Sequence, residues 1–156
     1  MNSILITGGC GFIGSNIINT FLKRYKTIKI INVDKLYFCA SKKNIDNSCI
    51  SLIDSNYFFI NEDINNLEKM KEILEIYNVD TVLHLAAQSH VDNSFSNPLQ
   101  FTYDNVKGTH TLLEACRLYR DKYPDKLKLF VHVSTDEVYG GVTFNELNNE
   151  NTLLCP

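Results

Sequence analysis

Five short apolar runs, separated by stretches with helical spacing, decide what this 156-residue chain can fold into. Residues 3–7 (SILIT), 27–34, 57–63, 79–87 and 127–135 read as strands, rich in Ile, Val, Leu and Phe. Between the first two, 12–25 carries Ile13, Ile17, Ile18, Phe21 and Leu22 at helical spacing. A second helix is predicted over 67–77, with Leu67, Met70, Ile73, Leu74 and Tyr77 on one side. A long third one spans 98–119, where Pro98 suits a first turn. The segment 35–56 has no period and reads mostly as loop. Strands apolar on both faces, alternating with helices, imply an α/β fold: a parallel sheet covered by helices.

No internal linker, repeat or low-complexity tract divides the chain, so 1–156 reads as one domain. At 44% hydrophobic and 21% charged residues it has the composition of a globular core-former. A net charge of −3 argues against nucleic acid or an anionic membrane surface as main partner. No apolar run approaches the ~20 residues that span a bilayer. The start, MNSILITGG, enters the first strand without a basic region or cleavage site, so a cytoplasmic location is expected. Five cysteines (Cys10, Cys39, Cys49, Cys116, Cys155) form no CxxC pair and read as free thiols, with no metal site.

Glycine crowds the first strand–helix junction. In TGGCGFIG, Gly8, Gly11 and Gly14 form a GxGxxG variant whose first interval is one residue wider. Such a turn tolerates no Cβ strain, lets backbone touch a pyrophosphate, and lets the helix pack close to its strand. A glycine pattern by itself is also ordinary turn chemistry. Asp34, however, closes the second strand 20 residues after Gly14, where a carboxylate would accept the adenosine ribose hydroxyls. A carboxylate there repels a 2′-phosphate, so NAD is expected rather than NADP.

Ligands of open parallel sheets bind beyond the carboxyl ends of the strands. Two segments fall there: HLAAQSHVDNS (84–94) and STDEVYG (134–140). The second sets a hydroxyl, two carboxyls and a tyrosine in succession. Asp136 and Glu137 could act as one acid and one base, or the TDE run could merely cap a helix. His84 and His90 read as core and supporting residues, with no metal-ligand spacing around them.

Taken together, TGGCGFIGSN, VDKLYFCAS, HLAAQSHVDNSF, NVKGTHTLLEAC and STDEVYGG resemble the nucleotide-sugar 4,6-dehydratases of the extended short-chain dehydrogenase/reductase superfamily. The resemblance implies a Rossmann-like doubly wound parallel sheet with helices on both faces, truncated here after the fifth strand. It implies NAD, a nucleoside-diphosphate glucose as substrate, and a homodimer for the complete enzyme. The combination of AAQSHVDNSF with DKLYFCAS looks closer to eukaryotic and giant-virus UDP-glucose dehydratases than to bacterial dTDP-glucose enzymes, which tend to have Glu where Gln88 stands. Related sugar epimerases usually carry small apolar residues in place of Asp136 and Glu137. An epimerase or reductase of the same fold, and an NAD-binding module that pairs with another chain, are the competing readings.

By the same resemblance, hydride leaves C4 to NAD, water leaves across C5–C6, and the hydride returns to C6. Thr135 would hydrogen-bond the sugar at O4, Asp136 would protonate the departing C6 hydroxyl, and Glu137 would take the C5 proton. Phe12 and Ile13 would line the pyrophosphate turn, Lys35 would follow Asp34 at the cofactor, and Asp63 with Ile64 would meet the adenine. Leu85, Ala86 and Ala87 would run beside the nicotinamide ribose, and Ser89 would reach the substrate. Asn105 matches a structural asparagine, whereas Asp104 stands where relatives often have Thr. The family's Tyr-x-x-x-Lys pair is expected on a helix after the fifth strand, past Pro156; Tyr119, Tyr123 and Tyr139 have no lysine four residues on. Without that helix and the sugar-nucleotide lobe, the isolated chain is expected to expose apolar surface, to be marginally stable and to associate.

Overall fold

Alternate side chains of the first strand belong to two different helical layers. In the structure, a computed structural model that describes residues 1–46, 56–141 and 147–156, β1 (Ser3–Thr7) is buried along its whole length. Ile4 and Ile6, with Ile30 of β2 (Lys29–Val33), pack on Ile18 and Leu22 of α1 (Phe12–Arg24). Leu5, Ile31 and Val33 face the other way. They meet Met70, Ile73 and Leu74 of α2 (Leu67–Ile76), and Leu112, Ala115 and Tyr119 of a long helix described below. Period-2 alternation thus serves two cores at once, as a parallel sheet with helices on both faces requires.

β3 (Tyr57–Ile60) pairs with β2, and β4 (Thr81–His84) pairs with β1 and with β5 (Leu129–His132), all parallel. The order is β3-β2-β1-β4-β5. The chain winds outward from β1 to β3, crosses back to β4 on the far side of β1, and winds outward again. This reversal between β1 and β4 parts their connections and opens a crevice at their carboxyl ends.

Helices agree with the sequence reading to within two residues for α1 and α2; β1 coincides with its run, and the other four strands are shorter than theirs. The fourth run continues to Ala87, but β4 stops at His84: the Leu85 amide is shared between the Thr7 carbonyl at 3.2 Å and the Thr7 hydroxyl at 3.3 Å, and the Ala86 amide turns to that hydroxyl, 3.3 Å away. A short α3 (Val91–Ser96) was not legible in polar VDNSFS. The predicted 98–119 helix is α4, a rod of Pro98–Phe101, a π-helical segment Thr102–Lys107 and Gly108–Lys122. The loop reading of 35–56 contains a 3-10 turn, Lys42–Asn44; positions 47–55 lie outside the described residues.

Coverage of both faces fails at β5. Phe130 packs toward the α2–α4 core. Leu129 and Val131, on the α1 side of the sheet, are 52% and 38% exposed. Leu153 and Leu154 near the end of the chain are exposed as well.

Gly8 has φ +70°, and a Cβ there would lie 2.8 Å from the Ala86 main chain. Gly8→Ala is therefore expected to cost about 2–4 kcal/mol through left-handed strain plus backbone overlap. That corresponds to a fall in Tm of roughly 5–15 °C by calorimetry; an unchanged Tm would contradict the close approach.

Candidate functional site

At the β1–β4 reversal, the strand ends and the start of α1 enclose a cavity of about 420 Å³. The glycine turn forms one side. The Gly8 amide donates to the Val33 carbonyl at 2.9 Å, and the Gly11 amide to the Gly8 carbonyl at 3.2 Å. A side chain at Gly14 would run into the Gly8 carbonyl oxygen, so close helix–strand packing depends on its absence. Gly11 caps α1 without offering a side-chain acceptor, and Gly11 to Gly14 all line the cavity. The amides of that first turn have no intrahelical acceptor and carry the positive end of the helix dipole.

Asp34, at the end of β2, is buried in the cavity wall. Its Oδ2 accepts the Cys10 amide at 2.9 Å and its Oδ1 the Leu36 amide at 2.8 Å. The carboxylate therefore ties the glycine turn to the second strand while each oxygen keeps a further lone pair. Leu36, at φ 59°, turns the chain so that Tyr37, Phe38 and Cys39 also line the cavity. These three were not legible, because they lie in a segment without periodicity.

Among the described residues, Lys35 is the one cationic side chain lining the cavity, against Asp34, Glu62, Asp63 and Asp104. Its Nζ lies 3.3 Å from Asp63 Oδ2 and 2.5 Å from Asp104 Oδ1. Asp104 also accepts the side-chain amides of Gln88 and Gln100, both at 2.9 Å. Burial works against both charges. For Asp104, the three donors outweigh it and hold the carboxyl below its ordinary value. For Lys35, the Asp104 hydrogen bond and the two carboxylate charges outweigh it and raise the ammonium above its ordinary value. The Asp104 carboxylate thus has its counter-ion in Lys35, 69 positions away in sequence.

The opposite wall is Leu85, Ala86, Ala87, Gln88 and Ser89. Asn105, from the π-helical segment, holds the Gln88 main chain at both groups: Oδ1 accepts its amide at 2.7 Å and Nδ2 donates to its carbonyl at 2.9 Å. All twelve residues expected at a cofactor, from Gly8 to Ala87, line this one cavity, together with Ser89. Thr135, Asp136 and Glu137 do not. The lining reaches Val133 and Ser134, and the three follow it on the exposed turn that leaves β5. There Thr135 Oγ1 accepts the Glu137 amide at 3.3 Å, capping the 3-10 turn Asp136–Tyr139. The spacing Tyr-x-x-x-Lys does occur earlier, at Tyr25–Lys29 and Tyr103–Lys107. Neither pair lines the cavity; the Lys107 ammonium sits 4.6 Å over the Tyr103 ring.

Residues 5–156 match the family described as GDP-mannose 4,6 dehydratase. The chain is 42% identical over 156 residues to the trifunctional UDP-glucose 4,6-dehydratase/UDP-4-keto-6-deoxy-D-glucose 3,5-epimerase/UDP-4-keto-L-rhamnose-reductase of Arabidopsis thaliana, covering 99% of this chain and 22% of that one. It superposes on the NAD complex of dTDP-glucose 4,6-dehydratase from Bacillus anthracis with a TM-score of 0.81 at 37% identity, spanning 100% of this chain and 44% of that structure. The UDP-Glc/GlcNAc 4-epimerase of Campylobacter jejuni gives a TM-score of 0.82 at 28% identity, again over 44% of its length. The chain thus spans between 22% and 44% of the length of these proteins. Among the described residues, no helix is long and apolar enough to cross a membrane.

Behind the Leu85–Ser89 wall, His84 is 1% exposed. Burial first, and the neighbouring His132 second, push its pKa down to about 4. An unfolded imidazole titrates near 6.5, so between those values the unfolded chain binds the extra proton. Stability is therefore expected to fall as pH drops from about 6.5 to 4, by on the order of 3 kcal/mol for this group. Urea unfolding at stepped pH measures it, and His84→Gln should flatten the slope.

Proposed function

The chain belongs to the GDP-mannose 4,6 dehydratase family, and from that membership we propose that residues 1–156 form the NAD-binding domain of a nucleotide-sugar 4,6-dehydratase. One observation carries this reading: the cavity brings an uncapped helix start and a buried strand-end carboxylate together, and paired carboxyls follow directly on its Val133–Ser134 edge. The residues present suit a dinucleotide. The amides of Phe12, Ile13 and Gly14, with Gly8 and Gly11, would hold the pyrophosphate. Asp34 would accept the adenosine ribose hydroxyls beside Lys35, and Asp63 with Ile64 would flank the adenine. Leu85, Ala86 and Ala87 would lie along the nicotinamide ribose. Lys35 is already held by two carboxylates, which supports NAD over a 2′-phosphorylated dinucleotide.

When bound, NAD would supply reversible hydride storage between C4 and C6 of the sugar. Thr135 would hold the sugar at O4, and Ser89 would contact the substrate. Glu137, ionised, would remove the C5 proton. Asp136, protonated, would give its proton to the departing C6 hydroxyl, so that water leaves and a 5,6-unsaturated 4-keto sugar forms. Glu137 would return its proton to C5 as hydride reaches C6, which leaves the 4-keto-6-deoxy sugar. The C4 hydroxyl proton would pass to the tyrosine expected after the fifth strand. One carboxyl as acid and one as base is the division of labour that such an elimination requires. Their presence favours elimination over the epimerisation of the structural neighbours.

UDP-glucose is favoured as substrate by the likeness to the Arabidopsis enzyme, with dTDP-glucose next. Gln88 adds little to that choice. Its amide donates to Asp104 at 2.9 Å, and a glutamate in its place would face a second carboxylate. A homodimer through α4 is supported by exposed Leu99, Val106 and Leu113 on that helix.

Titration calorimetry of this chain should detect NAD binding, and Asp34→Ala should weaken it by about tenfold or more through the lost charged hydrogen bonds. No heat at millimolar NAD would overturn the cofactor assignment. In the protein that also holds the tyrosine and lysine, Asp136→Asn should still oxidise C4 but release no 4-keto-6-deoxy sugar, as followed by mass spectrometry. Product at the parent's rate would remove Asp136 from the elimination.

A further inference from the structure

His84 is buried at the end of β4, directly opposite Thr7 in the β1–β4 register, and takes no part in the chemistry above. Both ring nitrogens have partners: Nδ1 is 2.7 Å from Thr7 Oγ1, and Nε2 is 2.9 Å from Thr109 Oγ1. The second partner settles the direction of every bond. Thr109 gives its single hydroxyl proton to the Asn105 carbonyl, one helical turn back, at 2.6 Å. It can therefore only accept from His84, so Nε2 carries the proton and Nδ1 is the acceptor. Thr7 then donates to Nδ1, which leaves its oxygen to accept the Ala86 amide at 3.3 Å and to share the Leu85 amide, 3.3 Å away, with the Thr7 carbonyl at 3.2 Å.

These bonds close on themselves. They run from the Leu85 and Ala86 amides through Thr7, His84 and Thr109 to the Asn105 main chain. Asn105's side chain then grips the amide and carbonyl of Gln88, at the other end of the same cavity wall. We infer that His84, as a neutral Nε2–H imidazole, is a positioning residue that sets the Leu85–Gln88 wall of the cavity. A cationic ring would put a second donor at Nδ1 against the Thr7 hydroxyl and break the circuit. Its titratable neighbour is His132 of β5, stacked at 5.0 Å between centroids; Phe130 of the same strand is 6.2 Å away. The threonines on β1 and α4 carry no charge. Where the wall meets the nicotinamide ribose, the inference rests on the function proposed above; the placement of the wall itself does not.

The test uses this chain and three readouts. Nitrogen-15 spectra of the imidazoles should give His84 as Nε2–H with bare Nδ1 at pH 7, still neutral at pH 5, where an unperturbed ring is mostly cationic. Thr109→Val removes the acceptor of the Nε2 proton; amide hydrogen exchange at Ala86, which donates to the Thr7 hydroxyl, should then quicken about fivefold or more, and Thr109→Ser should restore it. His84→Gln, whose amide can both accept and donate, should hold NAD within about threefold of the parent, whereas His84→Leu should weaken it about tenfold. An Nδ1–H or cationic ring at pH 7, or unchanged exchange in Thr109→Val, overturns the inference. Should the parent bind no NAD, the proposed function falls, while the spectra and the exchange rates still decide the role of His84.

Discussion

Everything at the site depends on how closely two main chains approach where the sheet reverses its winding. Gly8 leaves β1 under the backbone of Ala86, with room for a hydrogen and none for a methyl group. That contact lets the glycine turn and the β4 wall share one crevice. It starts α1 beside the end of β2, and it brings Thr7 level with His84. A bulkier turn would force the two connections apart, and the helix start, Asp34 and the wall would no longer border a single cavity.

Around that contact the polar groups divide into a charged set and a neutral set. The charged set joins β2 to α4 through Lys35, Asp63 and Asp104, and the side-chain amides of Gln88 and Gln100 fill the remaining acceptor positions. Asp104 is buried, so its charge is tolerable because a lysine and two amides surround it. The neutral set joins β1, β4 and α4 through Thr7, His84 and Thr109. Both converge on the π-helical segment, whose wider turn presents Asp104 and Asn105 to the same loop. The short-range irregularity of one helix thereby holds Gln88, in the loop between β4 and α3, by three hydrogen bonds.

Much of this was readable beforehand. The alternation of runs and periodic stretches gave the number of strands and their parallel sense, because a buried parallel strand leaves a continuous apolar signature. The glycine interval and the spacing to Asp34 marked the crevice, since that distance is fixed by one helix and one strand. Strand ends were less legible: residues 85–87 are as apolar as β4 itself, and it is the Ala86 amide, turned to the Thr7 hydroxyl, that leaves the ladder. The π-helical segment left no trace in the pattern, because one widened turn barely shifts a helical period. The spacing of Tyr103 and Lys107 shows the converse, a motif-like interval on a helix that does not reach the cavity.

Local chemistry in the sequence was thus sufficient for the elements, the layers and the position of the crevice. Such features follow from side-chain period and from glycine, which act over a few residues. What required the folded chain was the pairing of distant groups. Lys35 finds Asp104 across 69 positions, and His84 sits between Thr7 and Thr109. Charge compensation and tautomer are properties of a surrounding shell, and a shell assembled from three strands and a helix exists only after the sheet has formed.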